Sequence, residues 1–167
     1  MQPVIRPERP EDLEAVRRVN ELAFPTRLEA DLVDALRGSD AWLPGLSLVA
    51  EERDAIVGHV LFSVVALDSG PDLLSLGPMA VVPDLQRAGI GSRLVRHGLE
   101  LARQTRHPLV VVLGHPAFYP RFGFEPARPL GIDTPYEAPD EAWMALRLPA
   151  YDPAVRGTVR YPPAWEG

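Results

Sequence analysis

The sequence predicts an α/β fold of the mixed (α+β) kind, with helices flanking one central sheet whose strands run in both directions. Three observations carry this. Apolar runs suited to strands are interleaved with stretches whose apolar residues recur at helical spacing. Their order is strand, two helices, three strands, helix, strand, short helix, strand, strand, which is not the regular alternation of a doubly wound nucleotide fold. No internal repeat or composition shift divides the 167 residues, a length that suits one domain with a sizeable core. The domain is expected over residues 1–148. Residues 149–167, rich in Pro and charge, are expected to wrap the surface as a tail.

Val4-Ile5-Arg6 is the first strand candidate. Pro10 suits a first helical turn, and Glu11 and Asp12 suit the positive end of a helix. Leu13, Val16, Val19 and Ala23 follow at helical spacing, and Leu28, Leu32, Ala35 and Leu36 mark a second helix that stops at Gly38. Leu46 to Ala50 reads as a strand, Arg53-Asp54 as a hairpin turn, and Ile56 to Leu67 as a longer strand broken by Gly58. After a turn at Asp68 to Asp72, Leu73 to Val82 reads as a strand interrupted at Gly77-Pro78. A proline lacks the N–H a central strand needs, so a bulge or a parting of strands is expected there. From Gly89 the spacing is helical, with Leu94, Val95, Gly98, Leu99 and Ala102 on one face. Pro108 to Leu113 reads as a strand buried on both faces. His115 to Arg121 suits one or two helical turns, Phe122-Gly123-Phe124 the start of a strand, and Trp143 to Leu148 the last strand.

Composition narrows the chemistry. The net charge is −6, which argues against binding nucleic acid by phosphate neutralisation. All 17 basic residues are Arg, so a Schiff-base lysine and a P-loop lysine are both excluded. There is no Cys, hence no thiol nucleophile and no Cys-ligated zinc. Four scattered His residues do not suggest a metal site. The N-terminus carries no apolar signal segment, and no apolar run approaches the roughly 20 residues of a membrane span, so a soluble cytoplasmic protein is expected.

The most informative segment runs from Met79 to Ser92, a strand feeding a two-glycine turn that opens a helix. The first N–H groups of a helix lack internal partners and sit at its positive end, so a diphosphate is a natural guest. Arg87 and Arg93 can add charge. Taken alone, the same spacing also fits a tight turn with no ligand.

Gln86-Arg87-Ala88-Gly89-Ile90-Gly91 resembles the Gln/Arg-x-x-Gly-x-Gly/Ala signature of GNAT acetyltransferases, with Val82-Pro83 just ahead of it. Gly114-His115-Pro116-Ala117-Phe118-Tyr119, followed by Gly123-Phe124, resembles a second segment of that family. With Leu76-Gly77-Pro78-Met79-Ala80-Val81, the whole is similar to the YhbS-like subgroup of GNAT N-acetyltransferases, over roughly residues 3–148. The resemblance implies acetyl-CoA as co-substrate and no metal. The pantetheine arm would pair along Met79, Ala80 and Val81. The diphosphate would lie on Gln86, Arg87, Ala88, Gly89, Ile90, Gly91 and Ser92, with His115 and Phe118 also against the coenzyme. Tyr119 falls on the general acid that protonates the departing thiolate.

The sequence departs from the family in two places. His115 stands where Asn is frequent, and can cap the short helix, touch the coenzyme arm or act as a base. Ser75 and Gly77 occupy the stretch where a basic Glu is frequent, which leaves water or Glu21, Glu29 or Asp31. His59, inside an apolar strand, reads as a packed histidine. The resulting expectation is direct acetyl transfer to a primary amine, of a small molecule or a peptide, through a ternary complex. The alternative is an acyl-CoA sensor without catalysis. A homodimer is plausible by analogy with the family.

Overall fold

The computed structural model describes residues 2–166, so the end residues of the expected domain and tail lie outside it. β1 (Val4–Pro7) is followed by a 3₁₀ turn at Pro10–Asp12, α1 (Leu13–Ala23) and α2 (Leu28–Arg37). β2 (Trp42–Glu52), β3 (Ala55–Leu67) and β4 (Gly70–Val81) form an antiparallel meander. Then come α3 (Ile90–Ala102), β5 (Leu109–Leu113), a 3₁₀ turn at Tyr119–Phe122, β6 (Glu125–Pro126), β7 (Ile132–Asp133), β8 (Trp143–Arg147) and β9 (Gly157–Arg160). The sheet order is β1-β2-β3-β4-β5-β8-β6. Along this path only β4 and β5 are parallel, joined by α3 as the crossover helix, so the sheet is mixed as expected.

Alternation along the central strands builds a core on each face. Leu48, Ala50, Val60 and Phe62 pack with Leu94, Val95 and Leu99 of α3. Their neighbours Val49 and Leu61 point the other way, to Val16 of α1 and to Val33 and Leu36 of α2. A third cluster joins β5, β8 and the C-terminal segment. α3 lies close to the sheet because Gly98 has no Cβ; one there would run into the Phe62 ring. Arg53 and Asp54 (φ +51° and +64°) form the two-residue turn whose twist matches the strands it joins.

Several expectations are corrected. α2 is rotated from the expected face: Ala30, Val33 and Leu36 are buried while Leu28 is 63% exposed. Its apolar residues form two stripes, and packing against α1 and the sheet selected the other one. Gly58 does not break β3, whose pairing with β2 merely slips one residue beside it. Phe122 ends the 3₁₀ turn, and Gly123 at φ +102° stops it, so pairing resumes only at Glu125. The segment expected as a surface tail contributes a strand to the sheet. β9 pairs with β3 (Ala66↔Arg160, Leu67↔Val159) and its Val159 is 1% exposed.

His59 is packed, with 0% exposure, inside a polar chain crossing from α1 to β1. Asn20 Nδ2 lies 3.2 Å from its Nδ1, and Ser47 Oγ lies 2.9 Å from its Nε2. The amide donates to Nδ1, so Nε2–H donates to Ser47, whose hydroxyl donates to Glu8 at 2.6 Å. Glu8 is in turn held by Arg37 at 3.0 Å. Burial, with the Arg37 charge as a smaller cause, pushes His59 down to about 3. The folded protein therefore excludes a proton that the unfolded chain binds below its ordinary histidine pKa. The stability this gives is full above about pH 6.5 and is lost as pH falls toward 3. Urea unfolding at about pH 7 and about pH 5 is expected to show a loss roughly 2 kcal/mol larger in the native chain than in His59→Gln.

Candidate active site

β4 and β5 are hydrogen-bonded neighbours at Leu74↔Val110 and Ser75↔Val111, and then part. Gly77 (φ +139°) and Pro78 follow at once, and the β3 register slips opposite them between Val60 and Phe62. Met79, Ala80 and Val81 remain paired to Val60, His59 and Gly58 of β3. Their edge toward β5 is left without a strand, exposing backbone donors and acceptors that an extended ligand can satisfy. A cavity of ≈1320 Å³ occupies this opening.

β4 leads directly into the glycine turn. Gln86 Nε2 donates to the Val81 carbonyl at 2.9 Å, tying the turn back onto the end of the strand. Arg87 (φ +65°) and Gly89 (φ +89°) take left-handed conformations that reverse the chain just before α3. The first bond of the helix runs from Arg93 N to the Gly89 carbonyl at 3.1 Å. The N–H groups of Ile90, Gly91 and Ser92 therefore have no partner within the helix, and no side chain caps them. Gln86, Arg87, Gly89, Gly91 and Ser92 all line the cavity. Ala88 does not, and the Ile90 side chain is 5% exposed in the core, so Ile90 offers a ligand its backbone alone. Arg93 is committed elsewhere, donating to the Pro3 carbonyl at 2.6 Å. The second guanidinium at the cleft is instead Arg121, stacked 4.6 Å over the Phe118 ring.

Across the opening stands the turn after β5. The His115 carbonyl accepts from the N–H groups of Phe118 (3.1 Å) and Tyr119 (3.4 Å), so its backbone, rather than its ring, closes this turn. Tyr119 is 7% exposed and sits edge-on to Phe118 (5.0 Å between centroids) and Phe124 (5.6 Å). It also lies against Gly114, where a Cβ would run into the ring. Burial pushes its phenol up to about 12. His115, Phe118 and Tyr119 line the same cavity as Met79, Ala80 and Val81.

Of the three carboxylates expected as bases, Glu29 alone lies on the cavity wall. Glu21 and Asp31 are drawn to Arg17, at 3.3 and 2.8 Å. The wall also includes residues that sequence reasoning did not assign to it: Phe24, Leu28, Tyr136, Tyr161 and Glu166. Trp165 is on the wall, whereas Trp143 is fully buried. Tyr161 and Trp165, two of the three aromatic residues of the C-terminal segment, were the available signal. Among the described residues no group of three or more His, Asp or Glu side chains converges as a metal site, and no helix is long and apolar enough to cross a membrane.

Residues 44–126, from β2 to β6, match the family model described as "Acetyltransferase (GNAT) domain". The chain is 40% identical over 157 residues to the uncharacterized N-acetyltransferase YjhQ of Escherichia coli K12, covering 89% of this chain and 86% of that one. The chain belongs to the GNAT acetyltransferase family. Among solved GNAT structures, Escherichia coli YhbS in complex with CoA superimposes with a TM-score of 0.90 at 30% identity, over 100% of this chain and 93% of that one. A GNAT acetyltransferase of Brucella melitensis in complex with acetyl-CoA gives a TM-score of 0.80 at 33% identity, over 97% of each chain. The GNAT match spans every element that builds the cleft except the helical pair and the C-terminal wall.

The fit of Tyr119 against Gly114 is testable by itself. Gly114→Ala is expected to cost about 1–3 kcal/mol of unfolding free energy, because the ring must leave its packed position to admit the methyl group. Urea unfolding monitored by circular dichroism measures it.

Proposed function

We propose that this GNAT acetyltransferase transfers the acetyl group of acetyl-CoA directly to a primary amine within a ternary complex. The observation that carries the proposal is a continuous arrangement in one cavity: an unpaired strand edge, an uncapped helix start at its end, and a buried phenol across from both. The pantetheine arm would add to the open edge of Met79 to Val81. The diphosphate would meet the N–H groups of Ile90 to Ser92, with Arg87 and Arg121 adding charge. A backbone N–H on the Met79–Val81 edge would hold the oxyanion as the amine nitrogen bonds to the acyl carbon.

The C–S bond then breaks, and the sulfur needs a proton. At about 12, Tyr119 keeps its proton at neutral pH. A phenol that weak would transfer its proton uphill to a thiolate in water, whose ordinary pKa is about 8.5. The burial that raises Tyr119 also raises a thiolate leaving beside it, which narrows the mismatch. The phenol thus donates its proton to the departing sulfur and regains one from solvent before the next turnover. The amine proton leaves to solvent, since Ser75 holds the place of the missing carboxylate and is uncharged. A covalent acyl-enzyme would need an activated nucleophile: the chain lacks Cys, and the Ser47–His59 pair is buried away from the cavity wall.

Tyr119→Phe separates an enzyme from a coenzyme sensor. Steady-state kinetics is expected to show kcat reduced about 100-fold or more, while calorimetry shows the coenzyme A dissociation constant unchanged. An unchanged kcat would remove Tyr119 from the chemistry. A second substitution tests the donor site. A Cβ at Gly89 meets no protein atom, so within the free protein Gly89→Val is strained by its φ of +89° rather than by a clash of the Cβ. The left-handed conformation costs a side chain about 1–2 kcal/mol, and coenzyme A affinity is expected to fall roughly tenfold by calorimetry.

A further inference from the structure

The cleft wall carries charges of both signs. Arg87, in the turn before α3, and Arg121, in the turn after β5, line it. The rest of its wall carries Glu29 of α2, Glu166 of the C-terminal segment and three aromatic rings. Those rings form a row, with Tyr136 and Tyr161 at 4.9 Å and Tyr161 and Trp165 at 5.1 Å between centroids, each pair tilted rather than stacked flat.

Two polar atoms on this wall are buried without a hydrogen-bond partner among the described residues: Oε1 of Glu29 and Nε1 of Trp165. An unpaired buried carboxylate oxygen is costly, so the Glu29 carboxylate gains by turning to meet a donor brought into the cleft. A carboxylate accepts only from N–H or O–H groups, and aromatic faces attract cations. An ammonium satisfies the carboxylate and the ring faces; the Trp165 Nε1–H is itself a donor and takes no part in holding it.

We infer that this wall is the acceptor's recognition site, and that it takes an alkylamine carrying a second, positively charged amino group. The inference rests on the acetyl-transfer reading of the same cleft and adds the substrate class. The attacking nitrogen must be neutral to use its lone pair, so the charge recognised by Glu29 and the rings belongs to another group on the same molecule. A diamine supplies both: one end deprotonates and attacks, and the other stays protonated between the carboxylate and the rings.

The test is kcat/KM with saturating acetyl-CoA for a series of α,ω-diamines and for n-alkylamines of the same length, in the native chain, Glu29→Gln and Trp165→Leu. Coenzyme A binding by calorimetry accompanies each variant and shows that the fold and the donor site are intact. The native chain is expected to prefer the diamine at least tenfold over its length-matched monoamine, and each substitution is expected to bring that ratio toward one. Acetylation of both series with no preference, or a preference that survives both substitutions, overturns the acceptor assignment and leaves acetyl transfer standing. Coenzyme binding with no acetylation of any amine overturns the transfer reading itself.

Discussion

The arrangement depends on one interrupted pairing. β4 and β5 share hydrogen-bond register at two positions and then diverge, and the cause is local. Gly77 takes a φ that other residues avoid, and Pro78 has no N–H to offer a neighbour, so a regular parallel ladder cannot continue past Ser75. β3 compensates on the other side with a register slip, which keeps Met79 to Val81 held on one edge while the opposite edge is bare. An unpaired edge is ordinarily a hazard for a sheet, since it invites another strand. Here it lines a cavity, where an extended ligand can take the place of a partner strand.

What surrounds the opening follows from that divergence and from close packing. β5, once free of β4, ends in the turn that carries Tyr119, so the phenol sits across the gap from the bare edge. Gly114 admits the ring, and Phe118 and Phe124 fix it edge-on. On the other side, the start of α3 must hold its position relative to the end of β4. Gly98 seats the helix on Phe62, and Ile90 and Leu94 fit against the space left at Gly58. Gln86 then ties the intervening turn to Val81. The glycine turn is thus positioned by core packing and one side-chain hydrogen bond, so the free N–H groups of α3 stay oriented without a ligand to order them.

Much of this was legible in the sequence because it is encoded locally. The Gly77-Pro78 interruption, the two-glycine turn and the spacing of α3 each express a backbone requirement that particular residues announce. The residues expected against the coenzyme are brought to one cavity, apart from Ala88 and the side chain of Ile90. The less legible features depend on tertiary choices. α2 has apolar residues on two stripes, and only packing decides that Leu28 and Leu32 face the cleft. Arg93 and Arg121 look alike in sequence, yet one is taken by the Pro3 carbonyl and the other reaches the cavity. β9 is a short segment amid prolines, and it becomes a strand because β3 extends far enough to offer Ala66 and Leu67 an antiparallel partner.

That last contact connects the two halves of the site. β3 pairs through Gly58, His59 and Val60 with the strand edge proposed for the coenzyme, and through Ala66 and Leu67 with β9. Just beyond β9 lie Tyr161 and Trp165, which close the cavity against α2. One long strand therefore sets the register of both walls, and neither wall can shift along the sheet without breaking ladder bonds to β3. His59 sits within this strand, fully buried and neutral, and bonds it to α1 and, through Ser47 and Glu8, to the segment before α1. The polar chain thus helps fix α1, and with it the helical pair, against the strand that positions everything else. A histidine without contact to the cavity is in this way part of what holds the cavity's shape.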